Sequence, residues 1–205
     1  GFGATGAALI DAGIDLCVFT GSVETGKRVA AACGARLIEC VMELGGNAPL
    51  IACADCDVER TARSIVYGGF SNCGQVCISV ERVYAHRDVY EPLLERVVEL
   101  TKALRPGDPT RDFCDIGYIT YAPQLDVVMA HIEDATSNGA QVLCGGKRRG
   151  DMAFEPTVIA GADHSCRVMT EETFGPVVPF MRVSSEEEVI QLANDSQLGL
   201  TAYVF

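Results

Sequence analysis

Short apolar runs alternate with amphipathic segments along the whole chain, and that alternation limits the folds open to it. Residues 16–20 (LCVFT), 36–43 (RLIECVME), 48–53 (APLIAC), 78–86 (ISVERVYAH) and 141–146 (QVLCGG) read as strands. Between and after them, 24–33, 58–70, 89–104, 123–137 and 186–194 carry helical spacing. The clearest helix is 89–104, where Val89, Leu93, Val97, Leu100 and Leu104 form one stripe, widened by Leu94 and Val98. Pro92 falls in its first turn, where a missing N–H costs little. Stop and start signals agree: Gly34 closes 24–33, Asn138-Gly139 closes 123–137, and Ser185 with Glu188 makes a capping box before 186–194. Strands alternating with helices predict an α/β fold with a largely parallel sheet.

Composition narrows the function classes. With 48% apolar and 21% charged residues, the 205-residue chain can bury a substantial core. A net charge of −12, with the 16 Lys and Arg scattered apart from the short run 147–149, argues against nucleic-acid or anionic-membrane partners. No apolar run approaches the roughly 18–20 residues that span a bilayer. The start lacks a signal-peptide pattern. Ten cysteines in a long, core-rich chain point to free thiols in a reducing, cytoplasmic setting rather than to a secreted disulfide scaffold. Both ends look cut: GFGATG has no strand in front of it, and LGLTAYVF stops inside a strand-like run. A piece of a longer protein is the expectation.

Several loops carry candidate chemistry. GFGATG (1–6) matches the dinucleotide pattern, with Gly3 among its glycines, or is a glycine-rich turn before a helix. FTGSVETG (19–26) leads from a buried strand into a helix. Gly21, Ser22 and Gly26 therefore sit where N–H groups and the positive helix end could take a phosphate, or Ser22 is an ordinary cap. MELGGNAP (42–49) ends a strand with Glu43 and Leu44 before two glycines; Glu43 is either a structural carboxylate or a general base. EETFGPVVP (171–179) offers Glu172 as a carboxylate for ribose hydroxyls and Phe174 as a stacking ring, or is a turn with a buried Phe.

The cysteines pose a sharper choice. Cys53, Cys56, Cys73 and Cys77 read C-x2-C, sixteen residues, C-x3-C, which is close to a zinc-ribbon spacing. A metal knuckle needs polar turns that let four thiolates converge, whereas Cys53 lies in an apolar strand and a helix separates the pairs. A redox pair at 53–56 would want a helix starting at the first thiol, and the helix begins after Asp57. Cys77 differs: it follows Gly74-Gln75-Val76 in a helix-to-strand turn that can present a thiol to a cleft. The spacing also leaves open an oxidative Cys73–Cys77 bridge.

In order, GFGATG, FTGSVETG, MELGGNAP, FSNCGQVCISVER and EETFGPVVP resemble the aldehyde dehydrogenase superfamily across essentially the whole chain. The resemblance implies an α/β, aldehyde dehydrogenase-like fold, with Rossmann-like parallel sheet parts and helices on both faces, 1–45 being the end of the cofactor-binding domain and 46–205 most of the catalytic domain. It implies NAD or NADP as cofactor and a small-molecule aldehyde as substrate. The parent would be a homo-oligomer, a dimer or tetramer. Cys77 would be the nucleophile and Glu43 the general base. Gly21, Ser22, Gly26, Leu44 and Gly3 would lie along the cofactor, with Ser22 at its pyrophosphate. Glu172 would bind the nicotinamide ribose and Phe174 would lie beside the nicotinamide. An N–H near Cys77 would form half of an oxyanion hole, the other half coming from an Asn upstream of residue 1. The chain alone is therefore expected not to turn over. A CoA-acylating relative is the enzymatic alternative, although such relatives typically lack the carboxylate at the Glu43 position. A non-catalytic binding or structural relative is the other.

Overall fold

The computed structural model describes residues 3–111 and 113–205. The chain divides into two units, 1–45 and 46–205. In the first, α1 (Gly3–Asp11), β1 (Leu16–Gly21), α2 (Val23–Gly34) and β2 (Glu39–Leu44) follow in order, with β1 and β2 parallel and in register from Leu16–Glu39 to Gly21–Leu44. Both strands alternate between exposed and half-buried residues. The half-buried set is Cys17, Phe19 and Gly21 on β1, with Cys40, Met42 and Leu44 on β2. The buried residues of α2 are Gly26 and Cys33, seven apart and so on one helix face. Cys17 and Cys40 are register partners, and burial together with these two neighbouring thiols pushes the Cys33 thiol up.

Two local expectations shift. Residues 3–6 of the glycine-rich start lie inside α1 rather than in a turn before it, while Gly1 and Phe2 fall outside the described residues. The strand expected from residue 36 begins at Glu39. Leu37 takes a left-handed φ of 56° and is 95% exposed, so the extended run cannot include it.

The second unit is built on β3 (Ala48–Ala52), α3 (Val58–Phe70), β4 (Val80–His86), α4 (Tyr90–Ala103), α5 (Ala122–Ser137), β5 (Gln141–Cys144), β6 (Arg148–Arg149), β7 (Ala153–Phe154), β8 (Thr157–Ala160), β9 (Val177–Val183), α6 (Glu186–Asn194) and β10 (Tyr203–Val204). Its main sheet has six strands in the order β10-β3-β4-β9-β8-β5. Every neighbouring pair is parallel except β5–β8. β6 and β7 form a separate small hairpin.

Pleating explains why helices cover both faces. Leu50, Ala52, Val83, Ala85, Val158, Val178 and Phe180 point to one core, shared with Ala62 and Ile65 of α3 and Leu93 and Val97 of α4. Tyr84, Ile159, Val177 and Val183 point to the other, shared with Leu125, Val128 and Ile132 of α5 and Val189 of α6. A sheet buried on both faces reads as continuous apolar runs, as these strands do. The predicted caps are present: Ser22 and Ser185 each accept an N–H three residues on, from Thr25 and Glu188, and Asp57 does the same for Arg60 at the start of α3. Among the described residues no helix is long and apolar enough to cross a membrane.

Candidate active site

In the first unit the predicted residues gather at the carboxyl ends of β1 and β2, where open parallel sheets bind ligands. Ser22 caps α2 in an extended conformation (φ −66°, ψ 150°), and its Oγ accepts the Thr25 N–H at 3.3 Å. Free N–H groups of that first turn face outward from a positive helix end. Gly26 packs closely on Leu44, whose Cδ2 would stand 2.5 Å from an added Cβ and would have to shift to admit one. Leu44 therefore seats the end of β2 against the first turns of α2. Glu43, opposite Thr20 in the register, lies on the exposed face of β2. Gly3 is exposed at the start of α1.

In the second unit three sequence motifs meet. Gly46 precedes β3, Cys77 precedes β4 and Glu172 precedes β9, and these three strands are parallel neighbours. Adjacent parallel strands bring like ends together, so their preceding loops converge. Gly46 N–H donates to Glu172 Oε1 at 3.0 Å, and a Cβ on Gly46 would stand 2.8 Å from the Cys77 carbonyl oxygen. Burial pushes the Glu172 carboxyl up, opposed by that Gly46 N–H.

The segment leading to Cys77 is held in an uncommon conformation. Asn72 (φ 52°), Cys73 (φ 61°) and Gly74 (φ 71°) are successive left-handed residues, and such strain persists only where surroundings over-determine it. Here Asn72 Nδ2 donates to the Gln75 carbonyl at 3.0 Å, and Gln75 Nε2 donates back to the Asn72 carbonyl at 2.9 Å. Gln75 also donates to the Tyr118 carbonyl (3.1 Å) and accepts from Thr120 N–H (2.8 Å). The Gly-Gln pair thus anchors the turn, and Cys77 emerges exposed at its end.

The four cysteines with ribbon-like spacing part company here. Cys73 is 1% exposed within the core, and burial pushes its thiol up to about 12. A thiol so rarely ionised is a poor partner for exchange with Cys77. Cys53 follows β3 and Cys56 precedes α3. Among the described residues no group of three or more His, Cys, Asp or Glu is arranged to hold a metal.

Sequence reading missed the residues that fasten the Glu172 loop. Asn47, 4% exposed, donates from Nδ2 to the Glu171 carbonyl (2.8 Å) and to Glu81 Oε2 (3.2 Å). Arg82, 1% exposed, donates to the Asn47 carbonyl at 2.9 Å and to the Ala193 carbonyl at 3.1 Å. On the far side, Gln124 donates to the Thr173 carbonyl (2.7 Å) and buried His131 pairs with the Thr173 hydroxyl (3.1 Å). One signal was available: Glu81 and Arg82 are adjacent charges inside an otherwise apolar strand.

Comparison with known proteins gives the family. The pattern described as the aldehyde dehydrogenase family matches residues 1–205. A 4,4'-diapolycopene aldehyde oxidase from Methylomonas sp is 42% identical over 206 residues, covering 100% of this chain and 38% of that protein. The solved structure of a putative aldehyde dehydrogenase, PutA, from Anabaena variabilis superposes with a TM-score of 0.97 at 39% identity, covering 100% of this chain and 44% of its own. A betaine aldehyde dehydrogenase from Staphylococcus aureus, solved in complex with NAD+, gives 0.94 at 31% identity over 100% and 42% of the two chains. The chain thus spans about two fifths of the length of these relatives. With its five motifs in order and its family pattern matched end to end, it belongs to the aldehyde dehydrogenase family.

Proposed function

We propose that the protein oxidises an aldehyde to the carboxylic acid, with NAD or NADP as hydride acceptor and Cys77 as nucleophile. The observation that carries this reading is Gly46, whose N–H holds the Glu172 carboxylate and where an added Cβ would stand 2.8 Å from the Cys77 carbonyl oxygen. That contact ties a prospective nucleophile to a prospective ribose ligand.

In this reading the Cys77 thiolate adds to the aldehyde carbon to give a thiohemiacetal, and loss of hydride leaves a thioester. The nicotinamide, when bound, supplies the hydride acceptor. Taken unit by unit, the residues present suit parts of that group: in the first the Ser22 helix start suits a phosphate, and in the second the half-buried Glu172 suits ribose hydroxyls and Phe174 offers a ring face. Gly21, Gly26 and Leu44 shape the phosphate end, with Gly3 further along the cofactor. An N–H beside Cys77 faces the developing oxyanion. Glu43 takes a proton from the water that hydrolyses the thioester. Residues 1–45 form the end of the cofactor domain and 46–205 most of the catalytic domain. The same reading places the enzyme in the cytoplasm as a dimer or tetramer.

The test is made on the whole protein. Glu43→Gln is expected to cut steady turnover by about 10²–10⁴-fold, the usual scale for a general base, while a first burst of NADH persists. Mass spectrometry should then find the acyl group on Cys77. A variant with unchanged turnover would remove Glu43 from the mechanism. Acceleration of wild-type turnover by CoA, with acyl-CoA as product, would favour the acylating alternative instead. A non-catalytic relative predicts no aldehyde-dependent NADH at all. Iodoacetamide should label exposed Cys77 well ahead of buried Cys33, Cys73 and Cys166. Peptide mapping that finds the buried thiols labelled first would contradict the presentation of Cys77.

A further inference from the structure

Glu81 lies on β4, 2% exposed, and among the described residues its side chain hydrogen-bonds with neutral donors alone. Its Oε1 accepts the Phe174 N–H at 2.7 Å and its Oε2 accepts the Thr173 N–H at 2.9 Å. Asn47 Nδ2 completes the set at 3.2 Å. Burial pushes this carboxyl up, with the Glu172 charge adding to the rise; the three donors oppose it and, with no acceptor among the described residues facing either oxygen, it is the ionised form that the geometry satisfies. A buried carboxyl is expensive to keep where an apolar side chain would pack as well. What it does here is specific. Phe174 has a left-handed φ of 47°, unusual for a side chain of that size. Successive N–H groups around such a turn converge and call for an anion. The Glu81 carboxylate fills that position.

We propose that Glu81 is the positioning residue for the cofactor's nicotinamide ribose: by taking the N–H groups of Thr173 and Phe174 it fixes the left-handed turn that aims Glu172 and Phe174. This rests on the reading of Glu172 as the ribose ligand. The backbone on either side of Glu172 is clamped, at the Glu171 carbonyl by Asn47 and at the Thr173 N–H by Glu81. Asn47 bonds to both Glu171 and Glu81, so the clamps are one unit. With an amide in place of the carboxylate, one of the two N–H groups faces an NH2 instead of an acceptor, which frees Phe174 to relax toward negative φ.

The experiment is Glu81→Gln in the whole protein, an isosteric change that replaces one acceptor oxygen with a donor NH2. Expected are about tenfold weaker NAD binding and a matching rise in the cofactor KM, the scale of a lost charged hydrogen bond. Near-wild-type kcat at saturating NAD and an unchanged aldehyde KM are expected as well. ADP, which lacks the nicotinamide ribose, should bind both proteins equally. Equal weakening of ADP and NAD, or unchanged NAD affinity in a folded variant, overturns the proposal. If Glu81→Gln does not fold, Glu81→Asp keeps the charge but withdraws it by one methylene and should show the same selective loss for NAD. If neither variant folds, the carboxyl serves folding rather than positioning and the proposal is overturned. Glu172→Gln separates the two readings. Unchanged NAD affinity there ends the ribose assignment itself, whereas weaker binding there with none in Glu81→Gln ends only the role of Glu81.

Discussion

Replacing Cys77 with alanine in the whole protein is expected to abolish aldehyde oxidation while leaving cofactor affinity close to wild type. The argument is chemical: with no sulfur to carry the acyl group, neither thiohemiacetal nor thioester forms, and the loss should approach the full covalent contribution, on the order of 10⁴-fold or more. Folding should survive, because Cys77 is exposed and the turn before it is held by Asn72, Gln75, Tyr118 and Thr120 rather than by the thiol. Steady-state NADH production and titration of NAD binding check the two halves separately. Retained oxidation would remove Cys77 as nucleophile; loss of NAD binding together with turnover would mean that the substitution had disturbed the site as a whole.

The second large effect is structural and centres on Gly74. A Cβ at this position would stand 2.1 Å from the Gly175 carbonyl oxygen, and the φ of +71° is one that only glycine adopts without strain. Both partners of that contact are backbone, so neither can move aside as a flexible side chain would. Gly74→Ala should cost about 2–5 kcal/mol, combining left-handed strain with a forced shift of the Glu172 loop. The denaturation midpoint measures it, and any folded fraction should have lost activity because the Cys77 turn and the Phe174 turn are pushed apart. Gly34→Ala is the matched control. At the end of α2 a Cβ would meet nothing within 4 Å, so the change should be neutral or stabilise by up to about 1 kcal/mol. Equal destabilisation by both would contradict the packing argument.

The same contrast separates what could be read from the linear chain from what could not. The helices α2, α3, α4, α5 and α6 were legible because their caps and apolar spacing are local properties. β3 was legible because two covered faces demand an unbroken apolar run, and β4 because apolar residues flank its two charges. α1 was misplaced because a glycine-rich pattern suits a turn and a helix equally. Of the site, Cys77, Glu43, Ser22, Glu172 and Phe174 could be named because each sits in a short motif with a chemical rationale. Glu81, Asn47, Gln124 and His131 carry no local motif; each matters for what lies opposite it, 34 to 126 residues away in the case of contacts such as Asn47–Glu81 and Gly46–Glu172.

The chain's order of residues by itself thus determined the alternation of strands and helices and the family, and it named candidates for the reactive groups, since all three follow from spacing and side-chain type. Only the tertiary structure decided which ends meet. The loops before β3, β4 and β9 share one edge because those strands are parallel neighbours, and strand order is not written in any local pattern. It also decided the fates of two cysteines four residues apart. Three left-handed residues in succession reverse the chain there, so that Cys73 turns into the core while Cys77 stands exposed.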